Sequence, residues 1–312
     1  MSKNGEKVKI DSDNWFPSLP NAENGKMEVK EWPIDDIYPF KDCPFKIRDD
    51  PEMAALIDSV AENGVMLPIL ARWREGKSGI ETIDGLRRLQ AAIMAGLETA
   101  PAIVVSMDDD AATIFMVDTK LAQRTNILPS ERAFAYKMKF DALKRQGKRN
   151  DLTSSQDETK LKGRTTTIMA SQSEDSRAQI DRYIHLTNLI TPLLDMVDNK
   201  VIDFVPAVDL SYLKREDEQI WVGCAIESYG KITGKQAALM KQMHNEKNLT
   251  ESAIEAIMRT EQPLDMKVTL RGQTLQKYFP KDYTPKQMQE VIIKLLEGWK
   301  KEHQRDDIKL VR

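Results

Sequence analysis

Two adjacent arginines at the start of a predicted helix form the first feature of the sequence that could bind a charged ligand. A predicted strand ends at Ile83, and a turn containing Gly85 follows it. The next helix carries Arg87 and Arg88 in its first turn. A helix N-terminus exposes unpaired backbone N–H groups, and arginine adds fork-shaped donors, so the pattern predicts a phosphate-binding site. Paired arginines at helix starts are also common on ordinary protein surfaces.

Residues 166–186 fit the pattern of a helix-turn-helix, in which the second helix enters the major groove of DNA. Met169 and Ile180 are apolar where the two helices must share a core, and Ser176 can cap the second helix. Glu174 departs from the pattern, because it stands where glycine usually supplies a residue with positive φ. Two packed helices in any α domain could produce the same spacing.

The outward positions of this second helix carry side chains suited to DNA. Arg177 can donate two hydrogen bonds to guanine, and Gln179 can pair with adenine. Arg182 lies further along the helix, where we expect a phosphate contact. The pattern therefore predicts that base edges are read by the first turn of this helix.

Charge is distributed unevenly along the chain, whose formal net charge is −3. Residues 132–164 hold 10 Lys and Arg against 4 Asp and Glu, whereas residues 1–66 hold 8 against 14. Charges more than about 10 Å apart are screened at 0.1 M salt, so the local excess decides whether a polyanion binds. We expect four side chains of the basic segment to contact DNA phosphates: Lys144, Arg145, Lys148 and Arg149. Lysine-rich helices with merely solvated faces would give the same counts.

Composition excludes several classes of protein. With 14 Gly, 14 Pro and 2 Cys in 312 residues, the chain is neither collagen-like nor built on disulfides. No stretch approaches the roughly 18 apolar residues of a membrane span, and no signal peptide is visible, so we expect a cytoplasmic protein. The cysteines and histidines are scattered, and we expect no metal site and no set of catalytic residues.

Strand signals alternate with helices up to residue 128 and nearly vanish after it, which predicts an α+β protein. We expect a flexible tail (1–27), a small mixed α/β N-terminal domain (28–128), a mostly helical DNA-binding domain (129–262) and a C-terminal strand–helix unit (263–312).

Local patterns set the expected bounds of several elements. A helix that begins at Pro129 is expected to end at Gly147, and residues 150–164 to form a flexible loop. Residues 268–270 predict a strand. The last helix opens at Pro285 and carries an apolar stripe, which suits either a core face or a dimer seam.

The order of these motifs resembles the ParB-type partition proteins, a family of DNA-binding, CTP-dependent clamps. The resemblance covers residues 29–213 and includes the segments IDDIYPF (34–40), NGVMLPI (63–69), GLRRLQAA (85–92), QRTNILPSE (123–131) and SRAQIDRYI (176–184). Near the C-terminus, KYFP (277–280) and YTPKQM (283–288) resemble versions carried on plasmids and integrative elements.

The resemblance implies a site for CTP with Mg²⁺. The loop from Gly64 to Pro68 and the helix start with Gly85, Arg87 and Arg88 would hold the nucleotide.

Other positions depart from the family pattern. Leu86 replaces the usual Glu or His, and Leu67 replaces a polar residue. Thr119 and Lys120 stand where an acidic residue and an asparagine normally arrange Mg²⁺ and phosphates, although Lys120 could itself meet the phosphates. The loss of these polar ligands favours CTP binding without hydrolysis. The alternative is a weak CTPase.

Sulfiredoxin shares the fold implied here and offers a rival function. That enzyme needs a cysteine nucleophile in the strand-to-helix turn, because a thiolate attacks its phosphorylated partner. The turn here is Asp84-Gly85-Leu86, and Cys43 lies far upstream. The redox-enzyme interpretation is therefore excluded.

We expect a sequence-specific DNA-binding protein that acts in partition of a plasmid or other mobile element, as a CTP-dependent clamp. The resemblance implies a homodimer on a palindromic double-stranded site, since two half-sites match a two-fold symmetric protein. It also implies a ParA-type ATPase partner and a location on the nucleoid. The alternative is a helix-turn-helix transcriptional or copy-number regulator with a degenerate nucleotide site.

Overall fold

The computed structural model describes residues 28–74, 76, 78–123, 126–150, 158–260, 275, 278–280 and 283–309. For residues 148–150, 158–164 and 300–309 it describes the backbone alone. The predicted tail (1–27) and the predicted strand at 268–270 lie outside these ranges. The chain divides into one unit that ends at Thr260 and a second that begins at Glu261, and each is described by itself.

A five-stranded mixed sheet with the order β1-β5-β3-β4-β2 forms the N-terminal part. Its strands are β1 (Val29–Pro33), β2 (Ile37–Tyr38), β3 (Ile69–Trp73), β4 (Ile80–Asp84) and β5 (Thr99–Val105). Strand β3 runs antiparallel to β4 and parallel to β5. Strand β1 forms one edge of the sheet and runs antiparallel to β5. Strand β2 forms the other edge and runs parallel to β4.

Twelve α-helices are formed by the described residues. Three accompany the sheet: α1 (Pro51–Asn63), α2 (Leu86–Met94) and α3 (Asp109–Gln123). The helical part contains α4 (Pro129–Asn150), α5 (Glu158–Ser171), α6 (Arg177–Leu186), α7 (Thr191–Asp198), α8 (Phe204–Leu210), α9 (Glu216–Tyr229), α10 (Gly234–Asn245) and α11 (Glu251–Arg259). The second unit contains α12 (Pro285–Lys309). The predicted α+β class, with a mixed first part and a helical remainder, is confirmed.

Helices cover both faces of the sheet. Because strand side chains alternate between faces, Ile69 joins a core with Met53 of α1 and Leu89 of α2. Leu70, next along β3, joins a second core with Met116 of α3. Burial on both faces explains why β3 is an unbroken apolar run at its start.

The ends of α1 and α2 follow the local signals in the sequence. Asp50 caps α1, its side chain accepting a hydrogen bond from the Met53 backbone at 2.7 Å, and Pro51 occupies the first turn. Gly64 ends α1 with φ 71°, and Gly96 follows α2 with φ 73°. A capping side chain and left-handed glycines near the ends therefore fix the bounds of both helices.

Two expected bounds in the helical part were wrong. Helix α4 continues through Gly147 to Asn150, and α5 already begins at Glu158, inside the expected loop. A glycine inside a helix costs only about 1 kcal/mol relative to alanine, which the ion pair of Arg145 with Asp110 can offset. Helix propagation adds one hydrogen bond per residue, so a packed segment extends into polar neighbours.

The helical part has a core of its own, drawn mainly from α7 to α11. A smaller cluster lies between α4, α5 and α6 and consists of Tyr136, Phe140, Met169 and Ile180. This cluster holds the two helices of the predicted helix-turn-helix against α4.

In the second unit, Thr284 caps α12 through hydrogen bonds with Gln287. The apolar stripe of this helix stays exposed: Leu295 is 67% exposed, Leu296 59% and Trp299 58%. Within the described part of this unit the stripe is therefore not a core face. No helix among the described residues combines the length and apolar character needed to cross a membrane.

Candidate functional site

The structure gives the two adjacent arginines at the start of α2 different acidic partners. Arg87 Nη2 lies 3.1 Å from Asp50 Oδ1, and its Nη1 lies 3.5 Å from Glu52 Oε2. Arg88 Nη2 donates to Asp84 Oδ2 at 2.9 Å. The predicted phosphate ligands are therefore divided between two places.

A buried charge cluster forms around Asp84, the last residue of β4. Lys120 of α3 donates to Asp84 Oδ1, while Arg88 donates to the other oxygen. The side chains of Asp84 and Lys120 are only 6% and 11% exposed. We call Asp84, Arg88 and Lys120 the Asp84 cluster.

Gly85 allows the Arg88 side chain to fold back over the helix start. The φ of Gly85 is 103°, a conformation that other residues rarely adopt. A Cβ atom there would lie 2.9 Å from Arg88 Nη2 and 3.3 Å from the Ile69 Cα. Glycine is thus required by the backbone conformation, and the nearby Ile69 backbone leaves little room for a Cβ atom.

The electrostatics of the cluster keep Asp84 ionised. Burial by itself raises the pKa of Asp84, but the charges of Lys120 and Arg88, with the Gly85 backbone N–H, outweigh it and hold that pKa below its ordinary value. Arg88 Nε is buried and has no hydrogen-bond partner within the described chain. The cluster contains two cations and one anion, so it retains a positive charge and a vacant donor.

A cleft separate from this cluster is lined by Arg87. Its lining residues are Lys46, Arg48, Asp50, Glu52, Arg87, Gln123 and Asn126, and we call it the Arg87 cleft. Its volume of about 220 Å³ is below the roughly 300–1,000 Å³ of typical small-molecule pockets. Of the six predicted nucleotide residues, Arg87 is the one that lines it.

Gly64 and Pro68 lie at the two ends of the loop between α1 and β3. Gly64 ends α1, and a Cβ atom added to it would meet nothing within 4 Å. Pro68 is buried directly before β3, while Met66 and Leu67 between them are 71% and 43% exposed. The structure records no hydrogen bond from this loop to Arg87 or Arg88.

One wall of the Arg87 cleft is anchored to the start of α4 by Glu131. This buried carboxylate accepts hydrogen bonds from Arg48 Nη2 at 3.0 Å and from the Lys46 backbone at 2.8 Å. It also accepts from the Leu128 backbone at 3.0 Å, which caps α4. The cleft is thus built across the junction of the sheet and the helical part.

The acidic partners of these arginines and most of the cleft were not predicted from the sequence. Asp50 caps α1, and its second role on Arg87 depends on a contact between residues 37 positions apart. Asp84 carried one signal, an acidic residue immediately before the glycine of a helix start. Lys46, Arg48, Gln123 and Asn126 showed no local pattern that could have found them.

Helices α5 and α6 share a buried contact at two apolar positions of the predicted helix-turn-helix. Met169 is 1% and Ile180 0% exposed, so both face the shared core. Ser176 caps α6, its hydroxyl accepting from the Gln179 backbone at 3.3 Å. Glu174 does not take a positive φ, since among described residues other than glycine only Asp42, Lys200 and Lys247 do so.

The turn before α6 is held by Asp175. Its carboxylate accepts hydrogen bonds from the Tyr136 hydroxyl at 2.5 Å and from Arg132 Nη1 at 3.2 Å, both on α4. Burial, together with the hydrogen bond to Asp175, raises the pKa of Tyr136, so its hydroxyl remains a donor. These contacts hold the turn against α4.

The outer face of α6 carries the predicted DNA-contacting side chains. Arg177 and Arg182 are exposed, and Gln179 is half-buried. Within the described residues Arg177 makes a single long contact, 4.0 Å from Nε to Asp181 Oδ2, and its side chain is 57% exposed. The first turn of α6 therefore presents long polar side chains on a helix fixed from behind.

The predicted phosphate contacts on α4 have different surroundings. Arg145 Nε donates at 2.8 Å to Asp110, whose side chain is only 2% exposed, so Arg145 links α4 to α3. Lys144 is half-buried. The side chains of Lys148 and Arg149 lie outside the described part of the chain.

The chain matches the model of the ParB N-terminal domain over residues 20–119. The described part of this range contains the whole sheet, α1, α2 and most of α3. Asp84 and Arg88 lie inside the matched range, and Lys120 directly follows it.

Curated relatives match over different lengths. A nucleoid occlusion protein of Halalkalibacterium halodurans is 36% identical over 116 residues, covering 36% of this chain and 40% of the relative. A nucleoid occlusion protein of Listeria monocytogenes is 26% identical over 249 residues, covering 80% of this chain and 75% of the relative. The chromosome-partitioning protein ParB of Myxococcus xanthus is 35% identical over 119 residues, covering 38% and 39%.

Two solved structures of the C-terminally truncated chromosome-partitioning protein ParB from Caulobacter crescentus are also similar. The complex with the centromeric parS site is 20% identical, covers 74% of this chain and all of that chain, and has a TM-score of 0.39. The complex with CTP-gamma-S is 21% identical, covers 64% and 99%, and has a TM-score of 0.29.

Proposed function

We propose that the chain, whose residues 20–119 match the ParB N-terminal domain, is a sequence-specific DNA-binding protein of the ParB type that acts in DNA partition. The observation that carries the proposal is the position of α6. Its inner face is locked into the core through Ile180, while Arg177 and Arg182 project from the outer face. A rigidly held helix with long polar side chains at its N-terminus is what major-groove recognition requires.

Base recognition would come from the first turn of α6. Arg177 can form two hydrogen bonds with guanine and Gln179 two with adenine, whereas Arg182 would contact a phosphate. The hydrogen bonds from Tyr136 and Arg132 to Asp175 fix the approach of this turn. Lys144 and the basic end of α4 would add phosphate contacts that are not specific for sequence.

The second part of the proposal is that the N-terminal domain binds CTP. Arg87, Arg88 and Lys120 would hold the phosphates, with the helix start at Gly85 contributing backbone N–H groups. The vacant Arg88 Nε donor suits an anionic ligand. The nucleotide would supply charge and binding energy that order the surrounding elements.

Magnesium would enter with the triphosphate. Among the described residues no three or more His, Cys, Asp and Glu side chains are placed to hold a metal ion by themselves. Mg²⁺ is commonly bound through one or two carboxylates together with substrate phosphates, and Asp50 and Glu52 of the Arg87 cleft are the carboxylates available beside Arg87.

We further propose a homodimer on a palindromic site. The exposed stripe of Leu295, Leu296 and Trp299 supports a contact between two copies of the chain. A two-fold protein matches a two-fold DNA site. The proposal includes three further parts: partition of a plasmid or mobile element, a ParA-type ATPase partner and a location on the nucleoid.

Residence on DNA with and without CTP tests this function. The preferred site is first selected from random duplexes and then placed on a supercoiled circle and on a linear fragment with free ends. A clamp accumulates on the circle when CTP and Mg²⁺ are added and is lost from the linear fragment. Equal occupancy of both DNAs, unaffected by CTP, would contradict clamp action, and failure to select any site would contradict specific DNA binding.

One observation favours a second candidate, a transcriptional or copy-number regulator that acts by occupying its site. Arg88 and Lys120 are bound to Asp84 and do not line the Arg87 cleft. A regulator would bind the selected site specifically in both DNAs and would bind no CTP.

A further inference from the structure

The carboxylate of Asp84 stands where a phosphate group would be expected. It accepts from Arg88 Nη2 at 2.9 Å and from Lys120, and the Gly85 backbone N–H stabilises its charge. Two cations and a helix start are the donors that proteins use for phosphate. A side chain of the protein itself thus uses the donors that the proposed nucleotide needs.

We propose that Asp84 is a built-in competitor for phosphate, which holds Arg88 and Lys120 in the ligand-free chain and thereby sets the affinity for nucleotide. The proposal rests on the nucleotide-binding part of the proposed function and adds its control by a residue of the chain. A triphosphate must draw Arg88 away from Asp84 or bind with Arg87 alone.

The burial of the cluster makes this competition strong. The side chain of Asp84 is 6% exposed and that of Lys120 is 11% exposed, so their attraction is little weakened by water. Asp84 ends β4 and faces Leu70 of β3 in the sheet register, so its position is fixed by the strand. The long side chain of Arg88 is the partner that can move.

Arg88 is also incompletely bonded in its present position. Its Nη2 is engaged with Asp84, but its buried Nε lacks a partner in the described chain. A buried donor without an acceptor costs free energy, so moving to a ligand oxygen recovers a hydrogen bond. This defect makes exchange of Arg88 from carboxylate to phosphate feasible.

Calorimetric titration of the full chain with CTP and Mg²⁺ tests the proposal. Asp84→Asn removes the competing charge, and we expect the dissociation constant for CTP to fall by about tenfold or more, as a released charge-assisted contact allows. Asp84→Ser removes the same charge with a smaller polar side chain and leaves Lys120, a proposed phosphate ligand, in place. This second variant should also bind CTP more tightly than the wild type, and it guards against misfolding of the first.

Glu81→Gln is the matched control. Glu81 lies on the same strand, is similarly buried and pairs with Arg72 at 2.7 Å, away from the Asp84 cluster. We expect no change in CTP affinity for this variant. That result would show that loss of any buried carboxylate from β4 does not by itself tighten CTP binding.

The outcomes separate the two levels of the proposal. If both Asp84 variants bind CTP as tightly as the wild type or more weakly, the competitor role is overturned. CTP binding to the wild type still supports the nucleotide function in that case. If Asp84→Asn loses CTP binding only when Mg²⁺ is present, Asp84 is a metal ligand. That result likewise overturns the competitor role. No CTP binding to any form overturns both.

Discussion

Lys139 is almost completely buried, yet its ammonium lies 2.5 Å from a carboxylate oxygen of Asp118, whose side chain is 42% exposed. The same ammonium donates to Gln172 at 3.1 Å, in the turn before α6. One lysine of α4 therefore joins α3 to the turn that precedes α6. Since Lys120 lies on the same helix as Asp118, the Asp84 cluster and this turn share a common support.

The unequal burial of this pair predicts unequal effects of mutation. Asp118→Ala leaves a buried ammonium without its counter-charge, which we expect to lower the free energy of unfolding by about 3 kcal/mol. Lys139→Met removes the buried charge and leaves Asp118 partly in water, which should cost about 1 kcal/mol. Urea denaturation followed by circular dichroism measures both. Equal losses, or a larger loss for Lys139→Met, would show that the buried charge is not the dominant factor.

Tyr136→Phe should loosen the turn before α6. The variant removes the hydroxyl that donates to Asp175, a hydrogen bond to a charged group worth about 1.5–3 kcal/mol. We expect lower stability and weaker binding to the selected DNA site, with unchanged binding to random DNA. Tyr38→Phe, on β2, is the control. If DNA affinity is unchanged despite the loss of stability, Asp175 does not position α6.

Arg177→Ala and Gln179→Ala test base recognition by α6. Each should weaken binding to the selected site by about 1–3 kcal/mol and relax base choice at one position, because a bidentate contact is lost. Fluorescence anisotropy on the selected site and on single-base variants measures this. Arg215→Ala, an exposed arginine at the start of α9, should have no effect. Equal weakening on random duplexes would instead assign Arg177 and Gln179 to phosphate contacts.

The charge of Asp84 predicts a specific acid sensitivity. Its folded pKa is depressed below the ordinary value of 3.8, so its contribution to stability is present above that pH and is lost as the pH falls through the lower folded pKa. The difference in unfolding free energy between wild type and Asp84→Asn should be largest above about pH 4 and shrink below it. Urea denaturation between pH 7 and pH 2 measures this difference. A difference that stays constant over the whole range would contradict the ion pairing.

Local features of the fold could be predicted because they depend on near neighbours in the chain. Asp50 and Ser176 cap helices within three residues of themselves, and Gly64 ends a helix by its own backbone conformation. The burial of Met169 and Ile180 follows from helical spacing alone. Even here the extent of α5 was misjudged, because contacts elsewhere in the fold extend a helix into a polar segment.

Sequence alone determined that this chain has a mixed domain followed by a helical one, with arginines at a helix start and a capped helix bearing Arg177 and Gln179. Only the tertiary structure decided which partners those charges take. Lys120 meets Asp84 across 36 positions, and Lys139 meets Gln172 across 33. The physical reason is that periodicity and capping report interactions within a few residues, whereas the pairing of buried charges depends on how separate elements pack.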